Sequence, residues 1–520
     1  MSNKIKQIIY YKHLPLLLFI LFLSLMIFFH LKIVIEAPLA AGDDDIIYLG
    51  ISQNIIDDHG IKYDKNDIEY YKFTPSLFLL IYTMSFMGNN SIVLASTILI
   101  FIQLIATSCL AFLICRYLLA SQWLSLITTI LFITHGDQLN YEQYNFASFS
   151  LLRTGQFSFI VFLLCIYLVL KLLKLNKIKT LFLILPITIA IILYHHQSGV
   201  INWVIFYLFL VLTMFIRYKK HSLKQIFSYI LIMAFIASIP VITLFLLNFF
   251  WKGKIINTVL SLLSSAITGG ITEEVNIFAI NYFHLLGGIT LIGGIFGLGY
   301  LIKFRKQYQI PLILLLSILT ILFLGTYQSM VSFHFFPRRF LAGLHFPAEI
   351  LCGFLLYYFW QYRKKMLFIS FTTIIIISGL SNYFYSLNNV HLDLNWKYIS
   401  ATEWAKNNLN RDEKFVSDVL TIIQFDQLAN LQPAYQYPRV KDYQQINSKE
   451  EIQKIFVEED VIAANEYLKK NKIKYVIIDT KNSPFWTPGN YKKFNNQDYF
   501  KEIYSQKIDD NQKIIIYETI

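Results

Sequence analysis

Pro75-Ser76-Leu77-Phe78-Leu79-Leu80-Ile81-Tyr82-Thr83-Met84-Ser85-Phe86-Met87, closed by Gly88-Asn89-Asn90, is the stretch on which the topology of this chain turns. It is apolar but only about 13 residues long, so as a helix it would measure about 20 Å against roughly 30 Å of hydrocarbon. The Gly-Asn-Asn that follows is turn punctuation. Read as an interfacial or re-entrant segment, it leaves apolar runs near 14–35, 91–115, 120–134, 157–175, 180–194, 199–216, 226–250, 277–302, 310–325, 340–360 and 366–385, about eleven spans.

The consequence of that reading is visible in the charges. The N-terminus, Arg116, Lys171 to Lys179, Arg217 to Lys224, Lys303 to Lys306 and Arg363 to Lys365 then share one side, and none of these segments contains a carboxylate. Cytoplasmic loops carry an excess of Lys and Arg, so this side is cytoplasmic. Counting Pro75 to Met87 as a full span would put most of those clusters outside. Every carboxylate of the membrane part except Glu349 falls on the opposite, outer face: Glu36, Asp43, Asp44, Asp45, Asp57, Asp58, Asp64, Asp67, Glu69, Asp137, Glu142, Glu273 and Glu274.

The composition agrees. Of 520 residues, 56% are hydrophobic and 15% charged, with a mean hydropathy of +0.50. Soluble chains carry about 25% charged residues, so a soluble enzyme, a nucleic-acid-binding module and a disordered scaffold are excluded. The net charge of +12 belongs to the membrane part: Lys and Arg outnumber Asp and Glu by 27 to 14 in residues 1–385 and stand at 18 to 19 in residues 386–520. The first apolar run follows Lys4, Lys6 and Lys12 without a small-residue cleavage site and reads as a retained anchor. Cys109, Cys115, Cys165 and Cys352 lie within or at the ends of apolar runs, which supports neither a disulfide framework nor a zinc site.

Residues 386–520 have another texture. Short β-rich runs, Tyr475 to Ile478 and Ile514 to Tyr517, alternate with helix-like stretches, Ala401 to Leu409 and Val461 to Lys470. An odd number of spans puts this small α/β domain outside. The expected architecture is an α-helical polytopic membrane protein of about eleven transmembrane helices over 1–385, with an outer loop 36–90 carrying interfacial helices and an extracytoplasmic α/β domain over 386–520.

Chemistry concentrates on the outer face. Gly42-Asp43-Asp44-Asp45-Ile46-Ile47-Tyr48 presents three adjacent carboxylates just after the first span. Like charges this close raise at least one pKa, and such carboxylates can act as a general base or hold a divalent cation. The plain alternative is a solvated acidic loop. His135, Asp137 and Glu142 with Arg153 follow the third span, His195 and His196 follow the fifth, and His334 and His345 bracket Arg338 and Arg339. His30 and His284, inside apolar runs, read as interfacial amphipathic side chains. The two arginines stand at an outer boundary where the orientation rule gives no reason for cations; a guanidinium fork suits phosphate oxygens, against the alternative of a headgroup anchor. Glu349 lies deeper, where a carboxylate costs roughly 2.5 to 3.5 kcal/mol, and is either paired inside the bundle or functional.

This arrangement resembles the GT-C superfamily of membrane glycosyltransferases, which includes protein O-mannosyltransferases, lipid A aminoarabinose transferases and oligosaccharyltransferase catalytic subunits. Asp44-Asp45-Ile46-Ile47-Tyr48 is similar to the family's Asp-Asp/Glu-x-x-Tyr element in the first outer loop, and Thr74-Pro75-Ser76-Leu77 through Gly88 looks like its peripheral helix. Where the family often has His-Pro-Pro, this chain has Thr74-Pro75. Its acidic element is a triplet, which leaves both Asp43 and Asp44 as candidates for the catalytic place. Asp137 is similar to the second acidic site, Arg338 or Arg339 to an arginine before a late span. Glu403-Trp404-Ala405 with Phe415-Val416-Ser417-Asp418 looks like the opening of the family's outer domain.

The resemblance implies a hexosyl or pentosyl transferase using a polyprenyl-phosphate-linked sugar, with a glycan, lipid or protein as acceptor and membrane lipids around it. Asp44 would be the base, with Asp43, Asp45 and Asp137 beside it. Arg338, Arg339 and Arg153 would face the donor phosphate, while Tyr48, His135, Glu142, His195, His196 and His334 would orient the acceptor. Asp44, Asp45 and Asp137 are also the set that could hold Mg or Mn; no other cofactor and no nucleic-acid partner is expected. The alternatives are a polysaccharide polymerase or ligase using lipid-linked sugars, and a transporter or flippase, against which speak the outward charges and the lack of a repeat. Rich in Ile, Lys and Asn as in AT-rich genomes, the chain is expected in a bacterial plasma (inner) membrane.

Overall fold

The computed structural model describes residues 3–36, 75–88, 91–134, 154–175, 196–218, 288–326, 343–388, 396–434, 455–481 and 490–520, with isolated positions at 49–50, 52–53, 56, 187–188, 190–191, 231 and 483. The chain divides into two compact units, one of residues 1–31, 73–76 and 100–391, the other of 32–72, 77–99 and 392–520.

Among the described residues the apolar runs are helical apart from a few positions at or near their ends, such as Ser91, Ala120, Ser121, Gly343 and Leu344. Helix α1 covers Asn3–Glu36, α2 Pro75–Ser85, α3 Ile92–Leu119, α4 Gln122–Thr134, α5 Thr154–Lys174 and α6 His196–Tyr218. They are followed by α7 Gly288–Lys303, α8 Gln309–Thr326, α9 His345–Gln361 and α10 Lys365–Asn388. Four helices among the described residues are long and apolar enough to cross a membrane: His13–Leu31, Ile92–Leu119, Gln156–Lys174 and Gln309–Thr326. The runs 180–194 and 226–250, and the start of 277–302, lie outside the described residues apart from the isolated positions above.

Helix α2 has 11 residues and runs into a 3-10 turn at Phe86–Gly88. At 1.5 Å per residue it reaches about 16 Å, half a hydrocarbon core. Phe86 and Met87 at its end are exposed.

In the first unit α1 turns Pro15, Phe19, Leu23, Met26 and His30 inward, a 4-4-3-4 spacing that keeps one stripe on the bundle. His30 is therefore buried, which corrects its reading as an interfacial side chain; the stripe carries it inward regardless of its polarity. Helix α7 approaches α9 through small residues. A Cβ on Gly297 would stand 1.8 Å from the Leu351 carbonyl oxygen, and one on Gly293 would stand 2.7 Å from Cys352 Sγ. This is the small-residue contact that lets apolar helices pack backbone to backbone. All four cysteines are free.

The second unit holds the sheet. Helix α11 Trp396–Asn408 precedes β1 Lys414–Val416, α12 Val419–Ala429 and β2 Gln432–Pro433; then come α13 Val461–Lys470, β3 Ile473–Asp479, a 3-10 turn at Tyr491–Asn495, β4 Phe500–Lys507 and β5 Lys513–Thr519. The strand order is β2-β1-β3-β5-β4, with β2, β1 and β3 parallel and β5 antiparallel to both β3 and β4. A sheet covered on both faces needs apolar residues on both, and β3 supplies them as Ile473-Lys474-Tyr475-Val476-Ile477-Ile478. Val416, Val476 and Ile478 join Leu468 of α13 in one core, while Phe415 packs at 6.5 Å on Phe425 of α12, itself 6.2 Å from Tyr398 of α11. Both predicted strands and both predicted helices of this region are present, α13 over the predicted residues.

Candidate functional site

Helix ends decide where the candidate residues leave the bundle. Phe132 lies in the last turn of α4, Phe159 in the second turn of α5 and Phe346 in the first turn of α9. Their rings meet: Phe132 and Phe346 are 5.3 Å apart, Phe159 and Phe346 5.8 Å, Phe132 and Phe159 6.3 Å. The two contacts of Phe346 are edge-on, the arrangement that aromatic quadrupoles favour. All three rings are at most 5% exposed, so the triad is a dry floor joining three helix ends.

A polar tie adds the neighbouring ends. Ser158, beside Phe159, donates to the carbonyl of Ile191 at 2.8 Å and accepts from Asn202 of α6 at 3.4 Å. Ile191 and the second turn of α6 thus lie next to the start of α5.

Chain connectivity relates the candidates to this floor. His135, Asp137 and Glu142 follow the end of α4 at Thr134; Arg153 immediately precedes α5; His195 precedes and His196 opens α6; His334, Arg338 and Arg339 precede α9. Four separate stretches of sequence carrying candidates therefore attach to one end of the bundle. The candidates Asp43, Asp44, Asp45, Tyr48, His135, Asp137, Glu142, Arg153, His195, His334, Arg338 and Arg339 lie outside the described residues, as does the side chain of His196. Among the described residues no group of three or more His, Cys, Asp or Glu side chains is placed to hold a metal.

One turn into α9 stands Glu349, fully buried. Its Oε1 accepts from the Thr290 hydroxyl of α7 at 3.1 Å, and Oε2 has no hydrogen-bond partner among the described residues. Of the two readings of this carboxyl, pairing inside the bundle is met on one oxygen. The partner is 59 residues away, and no local pattern points to it.

At the far end of the same helices the loops are basic. Arg116 and Tyr117 at the end of α3, Lys174 at the end of α5 and Lys306 in the α7–α8 turn line one hollow. Phe19 stacks on Phe112 of α3 at 4.6 Å, so α1 enters the bundle from this end and leaves it toward the other.

The second unit carries a polar network that sequence reading missed. Asp418, directly after β1, accepts from Thr421 N–H at 3.0 Å, capping α12, and from Ser483 Oγ at 2.6 Å. Ser483 Oγ also accepts from the Asp479 N–H, and Asp479, at the end of β3, accepts from Gln512 Nε2 at 2.6 Å. The network closes the carboxyl ends of two adjacent parallel strands, which accounts for Ser417-Asp418 at the opening of this domain.

No protein-family model matches the chain, and no curated protein matches it by sequence. Solved structures do match. The oligosaccharyltransferase of Archaeoglobus fulgidus, tethered to an acceptor peptide containing an NVT sequon, is 13% identical over 96% of this chain and 73% of its own, with a TM-score of 0.55. The same enzyme in complex with Zn and sulfate gives 14% identity, 94% and 72% coverage and a TM-score of 0.49. Its complex with an inhibitory peptide and a dolichol-phosphate gives 14%, 96%, 74% and 0.46. The chain shares the fold of this archaeal oligosaccharyltransferase along nearly its whole length.

Proposed function

We propose that this protein is a membrane glycosyltransferase that moves a hexosyl or pentosyl group from a polyprenyl-phosphate-linked donor to a glycan, lipid or protein acceptor on the outer face of the plasma membrane. The observation that supports the reading is the meeting of α4, α5 and α9 at Phe132, Phe159 and Phe346, because the helix ends that meet there are the ones next in sequence to His135, Asp137, Glu142, Arg153, His334, Arg338 and Arg339. The fold shared with an oligosaccharyltransferase supports the reaction class.

In this reading the chain crosses the membrane about eleven times with its N-terminus cytoplasmic, residues 1–385 form the catalytic part and residues 386–520 an extracytoplasmic domain. Asp44, or its neighbour Asp43, takes the proton as the acceptor attacks the anomeric carbon in line. The bond from that carbon to the phosphate oxygen breaks with inversion, and the polyprenyl phosphate leaves with its negative charge. Arg338 or Arg339, with Arg153, stabilises that charge, which grows toward the transition state. Tyr48, His135, Glu142, His195, His196 and His334 orient the acceptor, and Asp44, Asp45 and Asp137 are the set offered to a divalent cation. The donor reaches such a site laterally through the bilayer, so no nucleotide-binding loop is needed.

The test uses membranes containing the full-length chain and radiolabelled polyprenyl-phosphate hexose or pentose. Asp44→Asn and Asp43→Asn are compared at equal expression, and at least one should lose transfer by about 100-fold or more, the range of a general base. Full activity in both removes the acidic triplet from the base role. Unchanged donor dependence in Arg338→Ala and in Arg339→Ala would make the pair a headgroup anchor.

A further inference from the structure

The basic end of the first unit contains a second place built for an anion. Helices α3, α4, α5 and α8 end or begin around a cavity of about 1010 Å³, within the size range of small-molecule sites. Arg116, Lys174 and Lys306 line it, from three parts of the chain, and no Asp or Glu lines it among the described residues.

Helix dipoles do not decide its potential. The C-termini of α3 and α5 and the N-termini of α4 and α8 all open there, about half a charge each and of opposite sign, so they cancel and the three side-chain cations remain. The Lys174 ammonium is held 5.4 Å from the centre of the Tyr117 ring, which in turn packs edge-on against Tyr167 at 5.7 Å. Topology accounts for a basic residue in each loop; it gives no reason for residues from three loops to face one hollow. Leu113, Leu118, Leu170, Leu173 and Ile310 supply an aliphatic part of the same wall.

We propose that this cavity binds an anionic phospholipid of the adjacent leaflet, its phosphate among Arg116, Lys174 and Lys306 and the upper part of its acyl chains along the leucine wall. Basic pockets between membrane helices recognise lipid phosphates in this way. A free phosphate would use the cations but would leave the aliphatic wall wet, which favours the lipid. The site lies at the opposite helix ends from the aromatic triad and does not depend on the transfer reaction.

Full-length protein in detergent micelles is titrated with phosphatidylglycerol and with phosphatidylcholine, and retained lipid is counted by native mass spectrometry. Wild type should prefer phosphatidylglycerol by at least about tenfold, and the variant Arg116→Gln/Lys174→Gln/Lys306→Gln should lose that preference with an unchanged melting temperature. The variant Lys171→Gln/Lys303→Gln removes two exposed cations of the same loops that lie outside the cavity lining and should keep it. Equal loss in both variants would mean diffuse attraction to a basic surface, and no preference in wild type would mean no site; either overturns the proposal. Displacement of the lipid by millimolar inorganic phosphate, equally for both lipids, would assign the cavity to a soluble anion and overturn the lipid assignment. If the triple variant does not fold, single Arg116→Gln and Lys306→Gln variants replace it, each expected to weaken the preference several-fold, and no change in either has the same overturning force.

Discussion

The Thr290 hydroxyl donates to Oε1 of Glu349 across 3.1 Å between α7 and α9, with both residues fully buried. A carboxyl deep in an apolar bundle depends on such a donor, because an unsatisfied buried polar group costs about 1–3 kcal/mol. Thr290→Val is expected to lower stability by that amount in detergent. Removing both partners, as Thr290→Val/Glu349→Met, should recover most of the loss, since an apolar pair needs no donor. Thermal unfolding of the four members of this cycle decides it, and a neutral Thr290→Val would show the hydrogen bond to be dispensable.

Gly297 and Gly299 stand two residues apart on α7 and should respond oppositely to the same change. A Cβ on Gly297 meets the Leu351 carbonyl at 1.8 Å, whereas nothing lies within 4 Å of one on Gly299. Gly297→Ala must push α7 away from α9 and should cost at least about 2 kcal/mol, in the range of core overpacking. Gly299→Ala should be neutral or stabilising by up to about 1 kcal/mol, the helix-propensity difference. Similar melting temperatures for the two variants would refute the close crossing.

Asp418 combines a helix cap with a bond between loops. Asp418→Ala removes the acceptor of Thr421 N–H and of Ser483 Oγ together and is expected to destabilise the sheet unit by about 2–3 kcal/mol, a cap plus a charged hydrogen bond. Asp418→Asn keeps a side-chain oxygen for the cap and should lose less. Amide exchange of β1 and β3 in the intact protein separates the outcomes; equal protection in wild type and Asp418→Ala would leave the network without energetic weight.

Lys493 predicts a pH dependence. Its ammonium donates to the carbonyls of Ile455 and Glu458, and burial holds its pKa down at about 8 against an ordinary 10.5. Between pH 8 and 10.5 the unfolded chain binds more protons at this residue than the folded one, so its contribution to stability rises with pH across that window and levels off above it. Tyr517, whose pKa burial pushes up to about 12, acts in the opposite direction only above pH 10. Exchange protection of β5, corrected for intrinsic rates, should therefore increase from pH 7.5 to 9.5, and Lys493→Met should flatten the increase. A slope that survives Lys493→Met would locate its source elsewhere.

Much of the helical part was legible because its signals are local. Apolar length identifies α3, α5 and α8 as spans, a run of 13 identifies α2 as too short, and Gly88 ends it. In the sheet unit the β-rich run Tyr475 to Ile478 reads as a strand, and the structure extends it to Ile473–Asp479 and buries both its faces. His30 was misread because polarity was weighed above its place on the Phe19, Leu23, Met26 stripe. For the candidate site, the nominated residues lie outside the described residues, and the sequence carried no sign that Phe132, Phe159 and Phe346 bring three helix ends together.

Sequence alone determined that this chain is rich in apolar segments long enough for a membrane, and which of the described stretches are helical. These follow from residue hydrophobicity and charge, properties each segment has before it meets another. Tertiary structure alone decided that Thr290 reaches Glu349, that Gly297 admits the backbone of Leu351, that Ser483 closes on Asp418, and that Arg116, Lys174 and Lys306 face one cavity. Partners separated by tens of residues are selected by packing, where shape and unsatisfied polar groups choose among neighbours that no short stretch of sequence can name.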